Sequence, residues 1–251
     1  MKRRWVKLFA TLIVCGASVG VVSAQSVVKV AAAANLRYSL SEIERLYEST
    51  HEGVDLQINY GASGTFYQQI INGAPYDLFL SADDLLPNKL RSEGVTSFEN
   101  TVYASGKLAL YGLQEGLSEA GLEIVSDSSI KRISVANPRT APYGTRSVEI
   151  LKAMGLWERV ERKIVYGDSI AQAAQFALTG NCEVGFVALS LLLNPEVELK
   201  GSYYIIPEEH YQPISQAGVV LKEGGAEEFF EFMLGEECRA VWDRYGYSTM
   251  E

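Results

Sequence analysis

From Ser26 onward, short apolar runs alternate with segments whose apolar residues recur at helical spacing. Val27-Val28-Lys29-Val30-Ala31-Ala32-Ala33 has the near-continuous apolar character of a buried strand. Leu40, Ile43, Leu46 and Tyr47 then fall on one helical face, and Val54, Leu56 and Ile58 alternate as a strand does. Phe66, Ile70 and Ile71 form the next helical stripe, Asp77-Leu78-Phe79-Leu80-Ser81 the next strand, and residues 85–93 the next helix. The pattern restarts after Gly106. Leu108-Ala109-Leu110-Tyr111, Ile133-Ser134-Val135-Ala136, Ile164-Val165-Tyr166 and Val184-Gly185-Phe186-Val187 are strand-like, and residues 147–154 helical. Ile170, Ala173, Ala174, Ala177 and Leu178 make a clean helix face. Ala217-Gly218-Val219-Val220-Leu221 is a last strand, before a helical stretch through Phe229, Phe230, Met233 and Trp242. This rhythm predicts two α/β units, each a mostly parallel sheet flanked by helices, with no low-complexity linker between them.

The first residues follow a different rule. Lys2, Arg3, Arg4 and Lys7 precede an apolar run over 8–22, and Val22-Ser23-Ala24 ends on small residues. That is a signal peptide over 1–24, cleaved after Ala24, and the run is short for a bilayer span. Cleavage removes four positive charges and no negative ones, so the net charge of −9 becomes −13. A surface of that sign argues against nucleic acid as a partner. Export into an oxidising compartment leaves only Cys182 and Cys238, with a disulfide and two buried thiols both open.

Four strand-to-helix junctions carry unusual turn chemistry: Ala33-Ala34-Asn35-Leu36, Tyr60-Gly61-Ala62-Ser63-Gly64-Thr65, Asn137 through Gly144, and Gly167-Asp168-Ser169-Ile170. Asn35, Ser63 or Thr65, Thr145 and Ser169 are the expected N-caps, and Thr65–Gln68 and Ser169–Gln172 match capping boxes. A helix start exposes unpaired N–H groups at the positive end of its dipole. In an open α/β sheet such turns gather at the carboxyl ends of the strands. Several together could hold a small dianion with neutral donors alone. Each junction by itself is most often only a capped helix. Ser63, between Gly61, Ala62 and Gly64, is the sharpest single site because small neighbours let a ligand approach the backbone.

Catalytic arrangements fit less well. Position 65 is Thr, so no G-x-S-x-G elbow forms around Ser63. His51 and His210 lie in turn-like polar surroundings, and Asp83-Asp84 before a helical run is the pattern of a cap. No H-E-x-x-H, EF-hand or Walker loop is present in the sequence.

Read together, Ala31 through Leu36, Tyr60 through Thr65 with Gln69-Ile70, Asp77 through Asp83, Asn137-Pro138 with Ala141 through Gly144, and Thr179-Gly180 with Val184 through Val187 resemble the periplasmic molybdate-binding proteins of ABC transporters. The ending Trp242 through Tyr247 resembles that family's C-terminus, so the likeness spans essentially the whole chain after the signal peptide. The resemblance implies a two-lobed type II periplasmic binding protein with the ligand in the interlobe cleft. Lobe 1 would be 25–106 plus 216–251, and lobe 2 would be 107–215. It implies a periplasmic, monomeric, non-enzymatic protein without a cofactor, which takes molybdate or tungstate and docks on a membrane permease. Carried over by position, Asn35 gives side-chain and backbone donors, Ser63 its hydroxyl and N–H, and Tyr143 and Ile170 their N–H groups, with Ala34 and Ala62 flanking the oxyanion. Some members place a tyrosine hydroxyl where this chain has Ala188, which leaves Tyr143 as the candidate replacement. The other readings are a binding protein for a different ligand, such as sulfate or a chelated metal, and an exported enzyme on the same scaffold.

Overall fold

The computed structural model describes residues 26–196 and 198–249; the expected signal peptide lies outside them. The chain opens with β1 (Ser26–Ala33), α1 (Arg37–Thr50), β2 (Val54–Gly61), α2 (Ser63–Ile71), β3 (Leu78–Ser81), α3 (Leu85–Ser92) and β4 (Thr101–Gly106). It continues through β5 (Leu108–Gly112), α4 (Leu117–Ala120), β6 (Ile133–Ala136), α5 (Pro142–Ala153), α6 (Trp157–Val160), β7 (Ile164–Gly167), α7 (Ile170–Leu178), β8 (Val184–Ala188), α8 (Leu189–Leu192) and β9 (Ser202–Ile205). It then returns with β10 (Ile214–Val220), α9 (Gly225–Leu234), α10 (Glu236–Arg244) and β11 (Ser248–Thr249).

The strands form two sheets. The first has the order β11-β4-β10-β3-β1-β2 and the second β7-β6-β8-β5-β9. Only Lys107 separates β4 from β5, and the segment between β9 and β10 brings the chain back, so two connections cross between the sheets. The parallel pairing expected from the βα rhythm occupies one part of each sheet, β2-β1-β3 and β7-β6-β8. Antiparallel strands complete both sheets, and β4, β5, β9 and β10 among them are the ones that carry the crossings. Each sheet is therefore mixed.

Sequence accounts for which strands sit where. β1 lies between β2 and β3, and its Val30, Ala31, Ala32 and Ala33 are all buried, as an apolar run requires. β2, at the sheet edge, buries only Leu56 along its length. The helix α7 buries Ile170, Ala173, Ala174 and Ala177, the face expected from the spacing. α9 and α10 bury Phe229, Met233 and Trp242 against the first lobe, and the Trp242 indole N–H donates to the Met233 carbonyl at 3.2 Å.

Local starts differ from the expected caps in three places. α2 begins at Ser63, two residues before Thr65, so the Thr65–Gln68 box does not form. α5 begins at Pro142, whose fixed φ and missing N–H suit a first helical position, and the Thr145 hydroxyl instead donates to the Pro138 carbonyl. Asn35 lies inside a 3-10 turn over Ala34–Leu36 and caps nothing. Ser169 does cap α7: its Oγ accepts from the Gln172 N–H at 3.3 Å, while the Gln172 side chain accepts from Asp168 rather than from the cap residue itself. Cys182 and Cys238 are both buried free thiols, one before β8 and the other on α10 in the opposite lobe.

Candidate functional site

The register of the sheets brings the four junctions together. Ala33 pairs with Gly61 at the ends of β1 and β2, so the turns that follow lie side by side. Ala136 pairs with Gly167 at the ends of β6 and β7, with the same result in the other lobe. Between the two pairs lies a small cavity. Ala33, Ala34, Asn35, Gly61, Ala62, Ser63 and Ala82 line it from one lobe, and Ala141, Pro142, Tyr143 and Ile170 from the other. All four residues expected to bind, Asn35, Ser63, Tyr143 and Ile170, are on its wall. No charged side chain is.

The lobes meet at its edge. The Gly64 N–H donates to the Thr140 carbonyl at 2.8 Å, and a Cβ on Gly64 would lie 2.9 Å from both the Thr140 Cα and its oxygen. The small residue after Ser63 thus serves the approach of the second lobe, not the ligand access expected from the sequence.

Donor polarity follows from the bonds already made. The Ser63 Oγ accepts from the Ala82 N–H at 3.0 Å, and Ser63 is 1 % exposed. With that lone pair used, the hydroxyl proton is the part of Ser63 left to give to a ligand. Ser63 and Ile170 are the first residues of α2 and α7, and Tyr143 follows Pro142 in α5, so their N–H groups have no acceptor within their helices.

Asn35 behaves differently from expectation. Gln216 on β10 donates through Nε2 to the Ile214 carbonyl at 3.0 Å, which fixes its Oε1 as the acceptor facing Asn35. The Asn35 Nδ2 therefore donates to Gln216 Oε1 and to the Tyr247 hydroxyl, each at 2.8 Å. Both side-chain donors are spent, Oδ1 has no partner, and what Asn35 keeps for a ligand is its N–H. Its carbonyl accepts from the Ser190 hydroxyl at 2.9 Å, and the Tyr247 and Ser190 hydroxyls lie 3.1 Å apart. Burial pushes the Tyr247 phenol up to about 12, so this network stays protonated at any physiological pH. Sequence reasoning passed over Gln216, Ser190 and Tyr247. The available signal was a polar residue, Gln216, immediately before the apolar run Ala217-Gly218-Val219-Val220.

Other candidates sit elsewhere. Ala188 ends β8 in register with Leu108 and does not line the cavity. The Tyr143 hydroxyl is buried and without a hydrogen-bond partner. Asp83 accepts from the Leu86 N–H at 2.9 Å and from the Ser81 hydroxyl at 3.1 Å, at the start of α3. His51 caps the end of α1, stacked on Tyr47 with 3.9 Å between ring centroids, and His210 is exposed. Among the described residues no group of three His, Cys, Asp or Glu side chains could hold a metal ion. Nor is any described helix long and apolar enough to cross a membrane.

Two mixed α/β lobes, two crossing connections and a small cavity of helix starts between them define a type II periplasmic binding protein. Comparison with known proteins narrows this. Residues 28–248 match the model of the bacterial extracellular solute-binding proteins, and the chain belongs to that family. The molybdate-binding protein ModA of Azotobacter vinelandii is 38 % identical over 98 % of this chain and 97 % of its own length. ModA of Rhodobacter capsulatus is 36 % identical over 87 % of each chain. The solved structure of the Azotobacter vinelandii periplasmic molybdate-binding protein superposes with a TM-score of 0.83 at 31 % identity, covering 89 % of this chain and all of the other.

Proposed function

We propose that this protein captures molybdate, and tungstate equally, and delivers it to the membrane permease of an ABC transporter. The ion is held by the Ser63 hydroxyl and by the N–H groups of Asn35, Ser63, Tyr143 and Ile170. The observation that carries this is the polarity of the cavity: small, set between two lobes, free of charged side chains and lined by donors. The names of the relatives that span the whole chain support the choice of ion.

The energetics are adequate. A hydrogen bond to a charged acceptor contributes about 1.5–3 kcal/mol, so four or five of them reach the roughly 8 kcal/mol of micromolar binding after ordering costs. A dianion without protons accepts from every donor, whereas a protonated ion brings a donor that needs an acceptor. Sulfate has the same charge and a smaller radius, and loses because fixed donors cannot all reach it. The protein acts without catalysis, as an exported monomer released after Ala24, and the closed form is the one that docks.

Calorimetric titration with molybdate, tungstate, sulfate and phosphate tests the reading. Molybdate and tungstate are expected to bind at sub-micromolar concentration and sulfate at least about a hundredfold more weakly. Tight binding of sulfate or phosphate alone refutes the choice of ion.

A further inference from the structure

Two of the strands that carry the crossings, β10 and β4, each touch one cavity turn. On β10, Gln216 holds the Asn35 amide. On β4 the contact is made by an absence of side chain. Gly106 is the last residue of β4, buried, paired with Ile214 and one residue before the crossing. A Cβ built there would overlap the hydroxyl of Tyr143, with Gln216 Nε2 and Tyr143 Cζ following at 3.1 and 3.2 Å. Gly106 is not among the glycines with positive φ, so backbone conformation does not demand glycine at this position; space does. The ring that fills the space comes from the opposite lobe, on α5, and belongs to the residue whose N–H faces the cavity.

We propose that Gly106 is a positioning residue for oxyanion binding: by seating the Tyr143 hydroxyl on the crossing strand, it sets how far the second lobe closes and so where the Tyr143 N–H stands. This rests on the oxyanion reading above. A side chain at 106 holds the first turn of α5 away from α2 and widens the cavity. Hydrogen bonds have a narrow working distance, so the ion then loses contacts to one lobe. Removing the hydroxyl takes away the overlap and leaves a new methyl with neighbours at 3.1 and 3.2 Å, which a shift of a few tenths of an ångström accommodates.

The test is a double-mutant cycle of Gly106→Ala with Tyr143→Phe, read by molybdate titration, by small-angle scattering with the ion bound, and by thermal unfolding without it. Gly106→Ala is expected to weaken molybdate about thirtyfold in the Tyr143 background and less than about threefold in the Phe background. The ion-bound Gly106→Ala protein should scatter as a more open molecule, and the double variant should close again. Thermal midpoints without the ion should shift equally in both backgrounds, which a purely structural contact would not do. An equal loss of affinity in both backgrounds, or none in either, overturns the proposal. So does a Gly106→Ala chain that fails to fold, because the contact would then support the fold and not closure. If the wild-type protein binds sulfate or phosphate instead of molybdate, the choice of ion falls while the same cycle, run with that ion, still decides the role of Gly106.

Discussion

The two lobes address the cavity in different chemical terms. The first offers a side chain: Ser63, whose hydroxyl is oriented by the Ala82 N–H that it accepts. The second offers only main chain, the N–H groups of Tyr143 and Ile170 at the starts of α5 and α7. Side chains can be exchanged by single substitutions, whereas a main-chain donor survives every substitution except proline. Affinity in the first lobe is therefore exposed to mutation, and in the second it is built into helix placement. The helix starts add the same favourable dipole in both lobes, so the contrast isolates the hydroxyl.

The largest effect is expected at Ser63. Ser63→Ala removes the hydroxyl donor and leaves the buried Ala82 N–H without its acceptor. Two losses of this kind correspond to about a hundredfold weaker molybdate binding by calorimetry. Binding within threefold of wild type would erase the difference between the lobes. A smaller loss, about tenfold, is expected for Ile170→Pro. Proline is tolerated at a first helical position, and Ser169 at φ −140° and ψ 168° already has the extended backbone that a following proline requires. Ile170→Ala is the companion variant. It removes the buried side chain but keeps the N–H, so it should weaken binding less than the proline does while lowering the thermal midpoint. Equal binding by the two would show that the side chain, and not the amide, matters in the second lobe.

These contrasts mark where sequence reading succeeds. The strand order around β1 follows from an apolar run long enough to be covered on both faces, and the cavity follows from four turns at the ends of parallel strands. What escaped it depends on partners distant in the chain. The Asn35 amide is turned by Gln216, 181 positions away, and by Tyr247, 212 positions away, so residue type alone overstates what Asn35 gives a ligand. Gly64 has the look of ligand access in its local pentapeptide, and only the packed lobes reveal Thr140 against it. The antiparallel parts of both sheets escaped for the same reason: β4 and β10 read locally like any strand, and their direction is set by the crossing between lobes.

The smallest effect concerns charge, and it sets the uncharged cavity against the outer face of α1. There Glu44 is pushed up to about 7, first by burial and then by the neighbouring Glu48, against an opposing pull from Arg45, with Asp55 adding the smallest push. Between its ordinary value of 4.5 and about 7 the folded state holds more protons than the unfolded chain. Stability from this group is thus present at low pH and is lost as pH rises through about 7. Glu44→Gln should raise the thermal midpoint by about 2 °C at pH 8, after discounting for solvent screening, and by nothing measurable at pH 4. Molybdate affinity should stay flat from pH 6 to 9 in both proteins, because every donor to the ion is a hydroxyl or an amide. An affinity that follows the Glu44 titration would tie the acidic helix face to the cavity and end the separation between them.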